Sequence, residues 1–538
     1  MPMPQESELL MSKSGSTTGA DSTRLGHHDR QRVVIVGAGF AGLAAAKALA
    51  AKPWYHPSLH VTLIDQHNHH VVTPFLYEVV TGQRGPSGSA YPIRSLVSSL
   101  GNVDFFLATA TGINVSLHQV DTDRGPVPYD YLILAAGAVP ASFEEGDGAD
   151  STGLAMGLGD LADAEALRNH VLSRLEALAW TTDPAERSRL LRFVVVGGGP
   201  TGVELAAALA VLTEQLAGPD FPGIDPSELR IVLVEATAEV LPASPADVRV
   251  AATRSLQEIG VEVATGTTVT HFSADGVTFA DGRDIEAATV IRATGVQASP
   301  LAATLPATGS HARAIVSRTL QVERHPQIFV VGDMAEIPGD AGPHPMVAQV
   351  AIQSGRQAAR SIVALCAHEE IKPFRYRDLG TAVIVGRTSA VAKLGRLHVF
   401  GRKGWAAWLG IQAMCTVGLR SKEAVVLSGV SRQLFPATSG RLITATDRSE
   451  QTVGKIQGSR TSPPAAAIRA KVDLPSVNVA NANRWGRAAA LAWWGQAYPG
   501  LKPEPEQPHG VKALRRRVVK VRHEVTGNKS QTDVNERG

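Results

Sequence analysis

Two glycine-rich segments in this sequence have the residue spacing that binds dinucleotides. The glycines are Gly37, Gly39 and Gly42 in VVIVGAGFAGL, and Gly197, Gly199 and Gly202 in FVVVGGGPTGVEL. An apolar run precedes each segment and an Ala- and Leu-rich run follows it, which is typical of a strand that turns into a helix. The first glycine permits the turn, the second admits a pyrophosphate, and the third lets helix and strand pack closely. The sequence therefore predicts two bound dinucleotides with electron transfer between them.

An acidic residue ends the next apolar strand after each glycine segment. Asp65 lies in VTLIDQ and Glu235 lies in IVLVEA. A carboxylate at this position accepts hydrogen bonds from the ribose hydroxyls of an adenosine group. Glu235 would also repel a 2′-phosphate, so we expect the second site to prefer NADH over NADPH. The alternative is an ordinary surface acid at the end of a strand.

A turn later in the chain is expected to contribute to the site at the first glycine segment. IFVVGDMAEI places Gly332 and Asp333 between a strand and a helix, where an Asp can hold the ribityl or pyrophosphate side of a flavin. We therefore expect FAD at the first site and NADH at the second. Gly295, in the closing segment TVIRATGVQASP, is a further predicted cofactor-binding residue.

The positions of the cysteines exclude several kinds of redox chemistry. The chain has two cysteines, Cys366 and Cys415, and none between Gln66 and Leu96. A flavoenzyme with a disulfide relay needs a Cys pair beside the flavin, so we expect the electrons to pass directly to a diffusible acceptor. The histidines of QHNHHVVTP (His67, His69 and His70) suggest a metal site, but the absence of matching ligands favours a polar loop and no metal.

The order of the elements predicts an α/β fold with two Rossmann-like domains, the second inserted in the first. We expect a disordered leader at 1–31, an FAD-binding domain at 32–150 and 296–370, and an NADH-binding domain at 151–295. An α+β region for membrane association or dimerisation follows at 371–445, and a largely disordered basic tail at 446–538 ends the chain.

Charge and hydropathy indicate the surfaces that this protein contacts. The net charge is +2, but 446–538 holds 16 Lys and Arg against eight Asp and Glu. Such a tail either meets an anionic surface or forms a solvated extension. The stripe WAAWLGIQAMCTVGL, Trp405–Leu419, is too short to span a bilayer and lies either in a membrane interface or in a homodimer face. The N-terminal segment has no apolar run, so it is not a secretory signal.

These residues resemble the type II (alternative, non-proton-pumping) NADH:quinone oxidoreductases from about Arg32 to about Thr444. Besides the glycine segments, the resemblance rests on TPFLYEVVTG, YPIRSL, YDYLILAAGA, VLP, TGVQASPLA, IFVVGD, DLGTAVIVGRTSAVAKLG and AQVAIQSG. AQVAIQSG is the most specific piece, because it is similar to the family's quinone-site pattern. It places Gln349 and Gln353 four residues apart, on one face of a helix.

The resemblance implies roles for four catalytic residues. Gln349 and Gln353 would face the isoalloxazine and the quinone headgroup, the alternative being a polar helix face in solvent. Glu204 would lie near the nicotinamide–flavin contact, or else cap or solvate its helix. Glu78 stands where the family often has Gln, and a carboxylate there would change proton delivery or quinone preference.

The predicted reaction is hydride transfer from NADH to FAD, followed by two-electron reduction of a membrane quinone without proton pumping. The resemblance also implies a cytoplasmic protein attached peripherally to the inner face of the cell membrane, with no nucleic-acid partner. One alternative is a reductase of a protein carrier such as a ferredoxin or rubredoxin. The other is a slow redox sensor that binds both dinucleotides and contacts nucleic acid through its basic tail.

Overall fold

The computed structural model describes residues 31–50, 59–141, 155–216, 220–221, 223–273, 275–415 and 442–444. The predicted leader, apart from Gln31, and the predicted basic tail lie outside the described residues. The chain divides after Val453 into two units, and every described residue belongs to the first unit.

The described helices and strands alternate along much of the chain. The helices are α1 (Phe40–Ala50), α2 (Leu76–Val80), α3 (Pro86–Ser89), α4 (Ile93–Val97), α5 (Leu161–Trp180), α6 (Pro184–Leu190), α7 (Pro200–Leu216), α8 (Ala246–Glu258), α9 (Ala348–Cys366) and α10 (Gly401–Cys415). The strands up to the second glycine segment are β1 (Gln31–Val36), β2 (Leu59–Asp65), β3 (His69–Val71), β4 (Ala90–Pro92), β5 (Val103–Leu107), β6 (Ala110–Asn114), β7 (Gln119–Thr122), β8 (Val127–Pro128), β9 (Tyr131–Leu134), β10 (Ala138–Pro140) and β11 (Arg192–Val196). The later strands are β12 (Arg230–Val234), β13 (Val261–Ala264), β14 (Val269–Ser273), β15 (Gly276–Phe279), β16 (Asp284–Glu286), β17 (Thr289–Arg292), β18 (Val296–Ala298), β19 (Ala314–Ile315), β20 (Gln321–Val322), β21 (His325–Val330), β22 (Ala335–Glu336), β23 (Pro338–Gly339), β24 (Gly342–Pro343), β25 (Thr381–Gly386), β26 (Ser389–Leu394) and β27 (Leu397–Phe400).

The first glycine segment lies at the end of the central strand of a six-stranded sheet. The strand order is β20-β21-β9-β1-β2-β5, and only the pair β20–β21 is antiparallel. The interior strands are buried apolar runs such as VVIV, as expected for a parallel sheet covered on both faces. The chain leaves this sheet after β9 and returns to it with β20 and β21.

A second parallel sheet carries the second glycine segment. Its order is β13-β12-β11-β17, with β11 between β12 and β17. The carboxyl end of β11 leads into α7 in the same way that β1 leads into α1. In parallel sheets, ligands bind at this end of the strands, next to the helix N-termini.

A third sheet follows α9. Strands β25, β26 and β27 form an antiparallel sheet, and β25 and β26 cover the segments TAVIVG and SAVAKL that were predicted to be strands. Helix α10 packs against this sheet and places Trp408 in the protein interior.

The segment around α2 packs with residues far from it in sequence. Val72–Val80 lies within the predicted first domain, but its apolar side chains join the core formed by α5, α7, β11 and the third sheet. This segment therefore carries Glu78 to the side of the molecule where α7 begins.

One face of the predicted apolar stripe at Trp405–Leu419 is buried. Trp408, Leu409 and Cys415 are buried because this face of α10 packs on the protein core, whereas Met414 is 57 % exposed. Residues 416–419 of the stripe lie outside the described residues. None of the described helices is both long and apolar enough to cross a bilayer.

Candidate active site

The two glycine turns have the same construction. Gly37 and Gly197 have φ values of +99° and +114°, which favour glycine. A Cβ atom on either residue would lie 2.3 Å from a carbonyl oxygen, that of Ala135 or Ala293 respectively. These alanines directly follow β9 and β17. The residue after β9 or β17 therefore leaves room only for a glycine at the turn. The glycine pattern alone did not reveal this close contact.

The other glycines of each turn differ in what surrounds them. A Cβ atom on Gly42 or Gly202 would lie 1.8 Å from the carbonyl oxygen of the first glycine in its own turn, so no side chain fits at either position. By contrast, a Cβ atom on Gly39 or Gly199 would meet nothing within 4 Å. Both positions are open immediately before a helix N-terminus, where backbone N–H groups and the helix dipole bind phosphate.

The acidic residues at the strand ends hold the turns. Asp65 Oδ2 accepts a hydrogen bond from Ala38 N at 2.6 Å, and its Oδ1 accepts from His67 N at 2.8 Å. Glu235 Oε2 accepts from Gly198 N at 2.6 Å, and its Oε1 accepts from Thr237 N at 2.7 Å. Each carboxylate thus connects its glycine turn with the backbone of the residue two positions after the acidic residue itself. A carboxylate has about four acceptor sites, so each retains capacity for ribose hydroxyls.

A buried histidine supports the first turn, a role that the sequence did not indicate. His70 Nδ1 lies 3.1 Å from the Ala38 carbonyl oxygen, and Phe40 packs edge-on against the ring. Burial lowers the pKa of His70 to about 4, so the imidazole is neutral at physiological pH. His70 therefore serves the turn as a neutral hydrogen-bonding group.

Gly332 and Asp333 lie beside the first turn. Gly332 has a φ of +65° and donates its N–H to Ser354 Oγ on α9 at 3.1 Å, and a Cβ atom on it would lie 3.3 Å from Ala41 Cβ. The Oδ1 atom of Asp333 is buried without a hydrogen-bond partner. Burial raises the pKa of Asp333 to about 6, although the charge of Arg313 opposes this shift. An unpartnered buried carboxyl beside a dinucleotide turn fits a ligand hydroxyl, as the ribityl chain of FAD would supply.

Gly295, a further predicted binding residue, lies in an open turn. It has a φ of +107°, and a Cβ atom on it would meet nothing within 4 Å. Its carbonyl oxygen accepts a hydrogen bond from Ala141 N at 3.2 Å. Gly295 follows β17 at the carboxyl end of the second sheet, the edge that the second glycine turn also occupies.

Glu204 is a buried carboxyl on the first turns of α7. It is 8 % exposed, and its Oε1 accepts a hydrogen bond from Ile384 N on β25 at 3.2 Å. Burial raises the pKa of Glu204 to about 8, and the charge of Glu78 acts in the same direction. The Ile384 N–H and the Trp408 indole oppose this rise. Glu204 is therefore largely protonated at neutral pH. Its burial argues against a solvated side chain, and its hydrogen bond to β25 argues against a helix cap.

Glu78 is held by an arginine. Arg84 Nε donates to Glu78 Oε2 at 2.6 Å, and both side chains are buried. The Arg84 guanidinium also lies 4.1 Å from the centre of the Phe75 ring, which in turn packs edge-on against Trp408. The structure thus connects Glu78 with the surroundings of Glu204 through a buried ion pair and two aromatic rings.

The two predicted quinone-site glutamines bind backbone groups. Gln349 Nε2 donates to Gly380 O at 2.7 Å, and its Oε1 accepts from Leu379 N at 3.0 Å. Gln353 Nε2 donates to Arg377 O at 2.9 Å, and its Oε1 accepts from Arg377 N at 3.0 Å. Both residues share one face of α9, as predicted, but this face contacts the chain that leads into β25.

Comparison with known proteins identifies the family. Residues 31–355 match the family described as pyridine nucleotide-disulphide oxidoreductase. The type II NADH:quinone oxidoreductase NdhA of Mycobacterium tuberculosis is 38 % identical over 422 residues, which are 75 % of this chain and 87 % of that protein. The chain belongs to the type II NADH:quinone oxidoreductase family. A second family member from M. tuberculosis, Ndh, is 35 % identical over 435 residues, which are 78 % of this chain and 91 % of that protein.

Solved structures agree with this family fold. NDH2 from Plasmodium falciparum in complex with NADH aligns with a TM-score of 0.69 at 17 % identity, over 77 % of this chain and all of that one. The sulfide:quinone oxidoreductase of Aquifex aeolicus aligns with a TM-score of 0.59 at 17 % identity, over 76 % of this chain and 96 % of that one. The mixed α/β fold is therefore that of the pyridine nucleotide-disulphide oxidoreductases.

Proposed function

We propose that this protein oxidises NADH and reduces a membrane quinone through a bound FAD, without pumping protons. The observation that carries this proposal is the repeated glycine turn and carboxylate, built once on each parallel sheet. Such a pair suits two dinucleotides that exchange electrons. Family membership, through relatives named NADH:quinone oxidoreductases, supports a quinone as the acceptor.

FAD belongs in the first site on chemical grounds. Gly39 leaves space for the pyrophosphate at the N-terminus of α1, Asp65 is placed for the adenosine ribose, and Asp333 offers an unpartnered acceptor for a ribityl hydroxyl. When bound, FAD supplies two-electron chemistry between a hydride donor and a quinone. The protein supplies the orientation and the electrostatic environment.

NADH belongs in the second site. Gly199 is open at the N-terminus of α7, and Glu235 places a negative charge where a 2′-phosphate of NADPH would lie. Glu204, four residues into the same helix, holds a proton on a buried carboxyl beside this site. Its role in the proposal is to orient the nicotinamide and to hold this proton near the reacting groups.

The quinone side of the proposal rests on α9 and α2. Gln349 and Gln353 position the chain that leads into β25, and Glu78 is held by Arg84. Quinone reduction takes up two protons, and the hypothesis for Glu78 is that it relays one of them. Unchanged quinone kinetics across pH in a Glu78→Gln variant would remove this role.

The proposal includes the organisation of the whole chain. We assign 32–150 and 296–370 to the FAD-binding domain and 151–295 to the NADH-binding domain. The region 371–445 serves in membrane association or in a homodimer contact. Peripheral attachment to the inner, cytoplasmic face of the cell membrane suits a quinone acceptor.

Anaerobic rapid mixing of the purified protein tests the proposal. The flavin absorbance is bleached with NADH or NADPH and then restored with a soluble quinone. We expect fast bleaching by NADH, slower bleaching by NADPH, and rapid reoxidation without any protein carrier. Bleaching without reoxidation by quinones would overturn the proposed acceptor.

Two matched variants assign the sites in the same assay. Gly39→Val fills the open position of the first turn and is expected to yield protein without flavin. Gly199→Val fills the equivalent position of the second turn, so we expect retained flavin with a raised KM for NADH. Flavin loss in Gly199→Val, with retention in Gly39→Val, would reverse the assignment.

A further inference from the structure

Helices from both dinucleotide sites bind the same short segment of the chain. Glu204, on α7, accepts a hydrogen bond from Ile384 N at 3.2 Å. Gln349, on α9, donates to Gly380 O at 2.7 Å and accepts from Leu379 N at 3.0 Å. We call the segment Leu379–Ile384 the connector. Four residue steps of about 3.3 Å place the two contacts roughly 13 Å apart along it.

The contacts lie on the first strand of the third sheet and on the residues directly before it. Strand β25 is terminal in the order β25-β26-β27, so one of its edges has no neighbouring strand within that sheet. Ile384 belongs to β25 itself, whereas Leu379 and Gly380 lie immediately before this strand. A side chain of α7 therefore holds this strand, and a side chain of α9 holds the residues that lead into it.

Gly380, whose carbonyl oxygen accepts from Gln349, has a backbone conformation that requires glycine. Gly380 has a φ of +96°, and a Cβ atom on it would lie 2.4 Å from the carbonyl oxygen of Lys393. Its own N–H donates to Asp378 Oδ1 at 2.8 Å. A residue with a side chain would be strained and would clash with β26, so the connector has a defined starting point.

Two further glutamines hold the chain before the connector. Gln353 forms two hydrogen bonds with the backbone of Arg377, at 2.9 and 3.0 Å, and Gln357 Nε2 donates to Lys372 O at 3.1 Å. With Gln349 they repeat every four residues along one face of α9. The three amides hold the segment 372–380 against α9, and Gln349 is the one that contacts the connector itself.

We propose that the connector is a positioning element that couples the two half-reactions, with Gln349 and Glu204 as its two positioning residues. This inference rests on the proposed function. Losing the Gln349 contact shifts the strand that orients Glu204, and so slows hydride transfer at the NADH side. Losing the Glu204 contact shifts Leu379 and Gly380, and so slows reoxidation at the quinone side.

The first test uses a matched pair of substitutions on α9 in the flavin-loaded, full-length protein. Gln349→Met removes an amide that holds the connector, and Gln357→Met removes an equivalent amide from the same helix face outside it. We expect Gln349→Met to slow flavin bleaching by saturating NADH by ~10-fold or more, since small displacements of reacting groups have effects of up to about 10². Gln357→Met should bleach within about twofold of the unsubstituted rate. Equal bleaching rates in both variants would overturn the proposal.

The second test changes Glu204 instead of Gln349, so it does not require a stable Gln349 variant. The flavin is reduced with dithionite, so NADH takes no part, and is then reoxidised with a soluble quinone. Glu204→Leu removes the acceptor for Ile384 N–H, whereas Glu204→Gln keeps an acceptor oxygen. We expect reoxidation to be ~10-fold slower in Glu204→Leu than in Glu204→Gln. Equal reoxidation rates in the two Glu204 variants would overturn the proposed coupling through the connector. Failure of the proposed function is distinct, because the unsubstituted protein itself would then not be bleached by NADH or reoxidised by quinone.

Discussion

Arg84 and Glu78 form an ion pair whose side chains are 7 % and 3 % exposed, with a separation of 2.6 Å between Nε and Oε2. Arg84 also donates from Nη1 to the Gly88 carbonyl oxygen at 3.2 Å and lies over the Phe75 ring. The pair therefore ties α2 to α3 within the core that also surrounds Glu204. Its negative member contributes to the raised pKa of the Glu204 carboxyl.

We expect the loss of either partner of this pair to destabilise the protein strongly. Arg84→Met removes the guanidinium that binds the buried Glu78 carboxylate, and Glu78→Met removes the carboxylate that binds the buried Arg84 guanidinium, at a cost of about 3–5 kcal/mol each. The double substitution Arg84→Met/Glu78→Met should recover most of that loss, because no uncompensated charge remains. Denaturant unfolding of the flavin-loaded protein measures the three variants.

The exposed pair Arg254–Glu258 provides the control for that prediction. Its atoms Nε and Oε1 are 2.9 Å apart, but both side chains are more than half exposed. Arg254→Met should change the free energy of unfolding by about 0.5 kcal/mol or less. The prediction is contradicted if the loss of Arg84 or Glu78 changes the free energy of unfolding no more than Arg254→Met does.

Glu204 should make stability fall as pH rises from about 5 to about 8. Burial raises its pKa to about 8 in the folded protein, well above the ordinary value of 4.5 that it regains on unfolding. Over this range the folded state keeps a proton that the unfolded state has released, so the stabilisation is lost as pH rises and levels off above about 8. Because a tenfold difference in proton affinity is worth about 1.4 kcal/mol, the expected loss of stability is several kcal/mol.

Unfolding curves across that pH range compare three proteins. Glu204→Gln cannot release a proton, so its stability should fall less steeply with pH than that of the unsubstituted protein. Glu214→Gln changes an exposed residue of the same helix and should follow the unsubstituted protein. Parallel curves for Glu204→Gln and the unsubstituted protein would show that Glu204 is not held protonated by its surroundings.

The sequence predicts local structure around the candidate site where the interacting residues are close in sequence or repeat a pattern. The glycine turns, Asp65 and Glu235 follow from strand–turn–helix periodicity, which is a local property. The contact between Gln349 and Gly380 depends on how α9 packs against a segment about thirty residues later. No periodicity encodes such a contact, so the helix face of Gln349 was predicted but its partner was not.

Packing between distant segments explains the other differences. Trp408 and Leu409 belong to an apolar stripe that was predicted to be a membrane interface or a dimer face, because periodicity alone does not distinguish these from a face that packs on the core. Only the position of the third sheet against α10 shows that they are buried. In the same way, the association of Val72–Val80 with α5 and α7 depends on tertiary packing, and it brings Glu78 near Glu204.

Flavin affinity should decrease as pH falls through about 6. Asp333 has a raised pKa of about 6 because it is buried, and a ligand hydroxyl that donates to it favours the charged carboxylate. Binding then lowers this pKa, so affinity falls by up to tenfold per pH unit below about 6.

Fluorescence titration of the flavin-free protein with FAD measures this slope. Asp333→Asn should bind FAD more weakly with a flatter slope, whereas the exposed Asp340→Asn should leave both unchanged. An unchanged slope in Asp333→Asn would assign the pH dependence to another group.

Glu235 should control the choice between NADH and NADPH. Its carboxylate is fixed at the second glycine turn by Gly198 N at 2.6 Å and Thr237 N at 2.7 Å, so its charge cannot move away from a 2′-phosphate. Glu235→Gln removes the charge and keeps one acceptor oxygen, and we expect the NADH/NADPH ratio of kcat/KM to fall by about tenfold, or about 1.4 kcal/mol. Asp65→Asn makes the same change at the first turn and should lower flavin occupancy without altering that ratio in the loaded fraction. Steady-state kinetics on flavin-normalised protein distinguishes the two. A ratio that changes in Asp65→Asn and not in Glu235→Gln would place the nicotinamide nucleotide at the first turn.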